Sequence, residues 1–363
     1  MSSPKDQMVT SFSSKSELAL NLSTDNKYLT FMGYVTTIGA IDVSNSNTPG
    51  AVDGSNPVGE SFFRAVAQVD QLGKFHFTET NAYSGNNGRA AILNNTNGAN
   101  FFYTSGNAGN GGNPQPNVII VGAGAQIMNP ATGPEIDQSP MAPTPVASFN
   151  VTQLGDPEDK IRKDDNFRGL TTFNNVLYYS KGSGGNGVNS VYFVDSTGTV
   201  CTDANGVGLP APNATLPTSP LAYNPALLQT KGLDPNNMCI LNGFPTALSS
   251  TTSFPFGIWF ANANTLYITD EGNGDNTYSN GMYTMAAAQT TAGLQKWVFN
   301  SSSGSWSLAY TLQSGLGLGV PYGVPGYPLG TNPATGLPWR PGTDGLRNIT
   351  GVVNGDGTAT STL

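Results

Sequence analysis

The feature that most constrains this chain is a short pattern that recurs five times. It reads ELALNLSTDNKYLTFMGY from Glu17, RAAILNNTNGANFFYTSGNAGNGG from Arg89 and RGLTTFNNVLYYSKGSGGNG from Arg168. A fourth copy, FGIWFANANTLYITDEGNGD, begins at Phe256, and a fifth, RNITGVVNGDGT, opens at Arg347. Each copy is a β-rich run, an Asn/Asp/Gly turn and a second run of Tyr, Phe, Leu or Ile, which is the turn chemistry of a β-hairpin. The four longer copies then enter a polar or glycine-bearing loop. Further strand pairs follow, such as SFFRAVAQVD/GKFHFTET and SVYFVD/GTVCT. Copy starts at 17, 89, 168, 256 and 347 lie 72, 79, 88 and 91 residues apart. Four strands per unit with long insertions account for that spacing.

Composition agrees with a turn-rich all-β chain. Only 10% of the 363 residues are charged, against about 25% in ordinary globular proteins. Gly (45), Pro (25), Asn, Ser and Thr fill the space. Hydrophobic residues, 37% of the chain, fall in short clusters that can form a core. Met285 to Gln295 is the only helical candidate. Four-stranded antiparallel units in series predict a single β-propeller-like domain over residues 1–363, interrupted by a loop insertion at 201–239. A β-sandwich pair is the alternative, but it does not explain the recurring hairpin.

Two copies carry a resemblance. Ser23-Thr-Asp-Asn-Lys-Tyr-Leu resembles the SPDGKYL hairpin of secreted seven-bladed propellers. Asn264-Thr-Leu-Tyr-Ile-Thr-Asp-Glu-Gly-Asn is similar to the GNLYVTDxGN strand of NHL and lactonase-like propellers. The resemblance covers about a third of the chain and implies a fold rather than an activity. Four complete copies and the start of a fifth predict a partial propeller: a fragment of a longer six- to eight-bladed parent, or a chain that closes with unusually large blades. Oligomerisation is a further way to close the ring.

Charge excludes one partner class. The net charge is −8 with no Lys/Arg cluster, so the basic footprint of a nucleic-acid binder is missing. No apolar run approaches the roughly 18 residues of a membrane span. The N-terminal MSSPKDQMVTSFSS lacks an apolar signal region, so a secretion signal is absent or already removed. Cys201 and Cys239 flank the Pro/Asn-rich insertion, where a disulfide and two free thiols are both open readings. Asn-x-Ser/Thr sequons at Asn21, Asn94, Asn150, Asn213, Asn300 and Asn348 are what so Asn/Ser/Thr-rich a chain produces by chance.

Antiparallel hairpins put the start of the first strand beside the end of the second. Glu17, Arg89, Arg168 and Arg347 open copies; Ser105, Lys181, Asp270 and Glu271 lie where hairpins close. One reading is a polar mouth whose arginine forks bind an anionic or sugar-like ligand. The other is that these arginines clamp neighbouring units through carbonyls and acids such as Asp164 and Asp165. Repetition at equivalent positions favours the clamp.

Asp270-Glu-Gly-Asn-Gly-Asp-Asn276 offers oxygens at alternate positions from Asp270, Asn273 and Asp275. That pattern suits Ca²⁺, although the closing Glu and helices of an EF-hand are missing, and the competing reading is an acidic hairpin turn. No other cofactor is expected. His76, the sole histidine, alternates with Phe75 and Phe77 on a strand and has no G-x-S-x-G elbow to serve. Any enzyme here works with carboxylates: Asp270, Glu271, Asp275, Asp165 and Glu17, helped by Arg168 or Tyr179. Between Leu316 and Trp339, Tyr322, Tyr327 and Trp339 sit among prolines and glycines, a setting for carbohydrate stacking or for capping gaps between units.

Gly182-Ser-Gly184-Gly-Asn-Gly187 matches the G-x-G-x-x-G dinucleotide pattern, and VIIVGAGAQIM approaches it. Neither is followed by the helix that a pyrophosphate site needs, so both are read as architecture. The expectation is a secreted or cell-surface binding or scaffold module with a glycan or other extracellular polymer as ligand. A carbohydrate- or lactone-active enzyme and a purely structural repeat of a larger exported protein are the competing readings.

Overall fold

The computed structural model describes residues 7–11, 19–49, 59–107, 124–131, 166–182, 188–200, 206–218, 238–247 and 253–363, with the backbone alone at 145–149. It divides into two compact units, residues 1–249 and 250–363. The described residues are all-β, with several antiparallel sheets, one single-turn α-helix and one 3-10 turn at Val43–Asn45.

Unit 1 contains three sheets. The first holds β1 (Met8–Val9), β2 (Asn21–Leu22), β3 (Leu29–Val35), β4 (Arg64–Val69) and β5 (Phe75–Thr80) in the order β1-β3-β4-β5, with β2 also on β3. The second is a meander of β6 (Gly88–Asn94), β7 (Phe101–Gly106), β8 (Ala125–Met128) and β9 (Pro145–Phe149). The third runs β10 (Phe167–Phe173), β11 (Val176–Lys181), β12 (Ser190–Val194), then β14 (Met238–Leu241) with β13 (Val207–Gly208) outside it in parallel.

Local chemistry dictates these turns. Between β10 and β11 both turn residues, Asn174 (φ 47°) and Asn175 (φ 60°), are left-handed. Asparagine tolerates that conformation better than other residues with side chains, and two such residues in succession match strand twist. In the first hairpin the Ser23 hydroxyl accepts from the Lys27 and Tyr28 amides (3.2 and 3.0 Å) and donates to Asp25 (2.7 Å).

The first two sheets face each other across Met32, Val66, Ala82, Tyr83, Ala91, Leu93, Phe102 and Met128, all buried. Burial of each large apolar side chain contributes about 1.5–3 kcal/mol. The ring of Tyr83 reaches so close to Gly106 that an added Cβ would sit 2.7 Å from it. Contacts of β10 with β6 and β7 join the third sheet to the second.

Strand pairing in the third sheet departs from the sequence expectation. Gly198 to Val200, the described part of GTVCT, form no strand; β12 pairs with β14 instead, Phe193 opposite Cys239. The cause is Asp195, whose carboxylate accepts from the Thr197, Gly198 and Val200 amides (3.1, 3.1 and 2.7 Å). Those donors are lost to a ladder, and the fully buried MCIL run takes the place. Cys239 is disulfide-bonded; Cys201 lies outside the described residues.

Unit 2 is built on a sheet ordered β15 (Pro255–Asn262), β16 (Thr265–Asp270), β19 (Gly293–Asn300) and β20 (Ser305–Leu312). Between β16 and β19 lie the small hairpin β17 (Tyr278–Ser279) and β18 (Met282–Tyr283) and the helix α1 (Thr284–Ala287). The helical run expected at Met285–Gln295 is therefore one turn, because β19 already begins at Gly293. One sheet face buries Leu266, Ile268, Trp297 and Trp306. The other carries Trp259 stacked on Tyr267, centroids 5.5 Å apart. A last hairpin, β21 (Thr350–Val353) and β22 (Ala359–Thr362), lies against β15. Gly351 meets the Trp259 ring there, where a Cβ would be 2.7 Å from three ring carbons.

All five recurring segments are antiparallel hairpins: β2–β3, β6–β7, β10–β11, β15–β16 and β21–β22. In three of them the first strand is bulged near its start, at Gly88/Ala90, Phe167/Leu170 and Pro255/Ile258. Strand β12 follows the GSGGNG glycines, and AQIM of the second glycine pattern is itself β8.

Candidate functional site

The register brings hairpin-opening and hairpin-closing residues together as expected. Ala90 faces Ser105, Phe167 faces Lys181, and Pro255 faces Asp270. The bulge frees an amide at this end: Gly169 N–H donates to the Ser180 hydroxyl (2.9 Å) and Gly257 N–H to the Thr269 hydroxyl (2.7 Å).

In unit 1 this end is a clamp. Arg89, 2% exposed, donates from Nη1 to Asn166 Oδ1 (2.5 Å) and Phe167 O (2.9 Å), tying β6 to the start of β10. Ser105 Oγ donates to the carbonyl of Arg168 (2.9 Å). Lys181 is fully buried, with Ser190 opposite it in register. Buried Ser190 Oγ and Asn107 Oδ1 have no hydrogen-bond partner among the described residues. Tyr179 is buried and donates to Thr104 O (3.3 Å), and burial holds its phenol well above the usual range. Glu17, Asp164 and Asp165 lie outside the described residues.

Sequence reasoning missed Arg64, the largest fully buried side chain among the described residues. Its guanidinium donates to the carbonyls of Phe62 (2.8 Å), Ser46 (2.8 Å) and Asn86 (2.7 Å), with longer bonds to those of Ser44 (3.3 Å) and Asn47 (3.4 Å). It also lies 5.1 Å from the Tyr34 ring centroid. The one available signal was a charge interrupting the apolar run FFRAVAQV.

In unit 2 the corresponding end is acidic. Asp270 is fully buried; its Oδ2 accepts from the Phe254 amide (2.8 Å) and Gln295 Nε2 (3.3 Å), and its Oδ1 from the Gly272 amide (3.0 Å). Burial pushes its carboxyl up to about 6, against the lowering effect of those amides and helped by the charges of Glu271 and Asp344. Glu271 pairs with Arg347 at 3.1 Å. The Arg347 carbonyl accepts from Thr269 Oγ1 (2.5 Å), the same device as Ser105 with Arg168.

The 270–276 loop is closed by its own oxygens. Asn273 Oδ1 accepts from the Asp275 amide (2.9 Å), and Asp275 Oδ1 from the Thr277 amide (2.8 Å). Thr277 holds the Asp275 carboxyl below its usual range. Asp344, unnoticed in the sequence, accepts from the Gly274 amide (2.5 Å) and from Gln289 Nε2. Among the described residues no group of three or more His, Cys, Asp or Glu side chains is arranged to hold a metal ion. The acidic-turn reading accounts for Asp270, Asn273 and Asp275 through these bonds. His76 is half-buried on β5, opposite Gln68.

The aromatic loop presents its tyrosines outward. Tyr322 is 48% and Tyr327 53% exposed, while Trp339 is half-buried. The loop backbone is braced rung by rung: Gly319 N–H to Thr343 O (2.8 Å), Tyr322 N–H to Pro341 O (2.9 Å) and Trp339 N–H to Gly330 O (2.9 Å). The Tyr283 hydroxyl anchors its far side by donating to Arg340 O (2.9 Å).

No known family model matches the chain, and no curated protein is detectably similar to it. Among the described residues no helix is long and apolar enough to cross a membrane.

Proposed function

We propose that this chain is a glycan-binding module of the cell exterior, built as a β-propeller. The observation that carries the binding role is the pair of exposed rings, Tyr322 and Tyr327, on a loop already held by its own hydrogen bonds. The negative face of an aromatic ring attracts the C–H-lined face of a pyranose, and phenol hydroxyls bond its rim. A braced loop loses little freedom on binding, so the contact energy is retained. Support for the propeller comes from the series of antiparallel sheets, each opened by a hairpin, and from the parallel bridge between Ala19 and Ala90 in the first two copies. The enzyme reading draws less support. A general acid must reach its substrate, whereas both oxygens of Asp270 accept buried donors and Glu271 is engaged by Arg347.

The test is retention on insoluble cellulose, chitin and xylan together with a soluble glycan array. The native chain should be retained on at least one polysaccharide, and Tyr322→Ala/Tyr327→Ala should be released at an unchanged melting temperature. Failure of the native chain to bind any glycan, or undiminished binding by the double variant, overturns the proposal.

A further inference from the structure

The loop that carries Tyr322 and Tyr327 leaves and rejoins unit 2 along two legs, and both legs touch one residue. That residue is Tyr283, the last of β18, which is 8% exposed. Its main chain holds the outgoing leg. The Tyr283 amide donates to Gly319 O (2.9 Å), and the Tyr283 carbonyl lies so near that a Cβ on Gly319 would be 2.3 Å from it. Gly319 is also left-handed, at φ 73°. The side chain of Tyr283 holds the returning leg. Its hydroxyl donates to Arg340 O (2.9 Å), and its ring lies where a Cβ on Gly342 would be 2.6 Å away. The Tyr278 ring packs on it edge-on, centroids 5.1 Å apart. Each leg thus presents a glycine where its backbone comes against this tyrosine.

Two of the bonds fall on neighbouring carbonyls of the returning leg. Arg340 O accepts from the Tyr283 hydroxyl, and Pro341 O accepts from the Tyr322 amide. One peptide unit separates the anchor from the backbone of the exposed ring. We propose that Tyr283 is a positioning residue for the glycan: it fixes the returning leg and, through it, the Tyr322 ring. The proposal rests on the reading of Tyr322 and Tyr327 as binding rings. A ring fixed beforehand gives up less freedom on binding, so loss of the anchor lowers affinity more than it lowers stability. Stability is spared because Arg340 is exposed, and water can replace the hydroxyl at its carbonyl.

The test is a binding isotherm for Tyr283→Phe on cellulose, chitin, xylan or an arrayed glycan, whichever retains the native chain. Phenylalanine keeps the ring and removes only the hydroxyl. Binding should weaken about fivefold at unchanged capacity, with melting within about 2 °C of native. The Tyr322 amide should exchange faster, while amides of β16 and β19 keep their native rates. Gly342→Ala, whose methyl meets the Tyr283 ring, should weaken binding at least as much. Native affinity in both variants overturns the proposal. So does a loss of capacity that follows a lowered melting temperature, the mark of a purely structural residue. A native chain retained on no glycan overturns this proposal and the glycan reading together; a retained native chain with unaffected variants overturns this proposal alone.

Discussion

Each unit buries a charge at a strand, with opposite sign and by the same means. In unit 1 the Arg64 guanidinium is surrounded by carbonyl oxygens; in unit 2 the Asp270 carboxylate is surrounded by N–H donors. Main-chain groups supply most of the partners named here in both. The difference lies in what each group can do when conditions change. Arginine keeps its charge at any accessible pH, so its site is permanent. Aspartate can take up a proton, and burial has already moved the Asp270 carboxyl up to about 6. One buried charge is a fixed staple and the other is conditional.

All four tryptophans lie in unit 2, so tryptophan fluorescence follows that unit while far-ultraviolet circular dichroism follows both. The largest effect is expected from Arg64→Met, which strands several carbonyls without donors at about 1–3 kcal/mol each. The variant should lose about 4 kcal/mol or more in urea unfolding, with the loss in the dichroism transition. Arg64→Lys should recover less than half, because the three donors of an ammonium cannot span the carbonyls of Ser44, Ser46, Asn47, Phe62 and Asn86. An equal loss in tryptophan fluorescence would erase the contrast between the units.

Asp270 ranks next and has a sign. Between about pH 4 and about pH 6 the folded carboxyl holds a proton that the unfolded chain, at 3.8, has released. Raising the pH through that window therefore lowers the stability of unit 2, by up to about 3 kcal/mol in all. Asp275 and Asp356, held below 3.8, act with the opposite sign and in a separate window below pH 4. Asp270→Asn should flatten the slope above pH 4 and leave the one below it. A native chain whose fluorescence midpoint is constant from pH 4 to pH 6 contradicts the conditional role.

The smallest effect compares the matched hydroxyl clamps. Ser105→Ala removes one hydrogen bond, to the Arg168 carbonyl, and should cost about 1 kcal/mol. Thr269→Val removes two, to the Arg347 carbonyl and from the Gly257 amide, and should cost about twice that. Equal losses on urea unfolding would mean that the bulge amide contributes nothing.

The five hairpins were legible in the sequence because their cause is local. Asn174 and Asn175, or Ser23 with Asp25, determine a turn within a few residues, and the flanking apolar runs do the rest. The third sheet was not legible, because Asp195 captures three amides and leaves the neighbouring position to a strand more than 40 residues away. Arg89, Arg168 and Arg347 could be singled out as clamp or ligand residues, since they recur at copy starts. For Arg89 the bonds to Asn166 and Phe167 are those of a clamp. Arg64 and Asp344 gave no such signal. The Arg64 guanidinium meets mainly carbonyls and Asp344 accepts from the Gly274 amide, and main-chain groups leave no mark in the letters.

That last property bears on how such a chain changes over generations. Ser105 and Thr269 address an oxygen that every amino acid carries, so the residues at 168 and 347 can drift without loosening the contact. In these two bonds only the donor's side chain matters, so they demand no compensating change at the acceptor position. A fastening of this kind tolerates a change of side chain at 168 or 347 and stays at the same point of the hairpin.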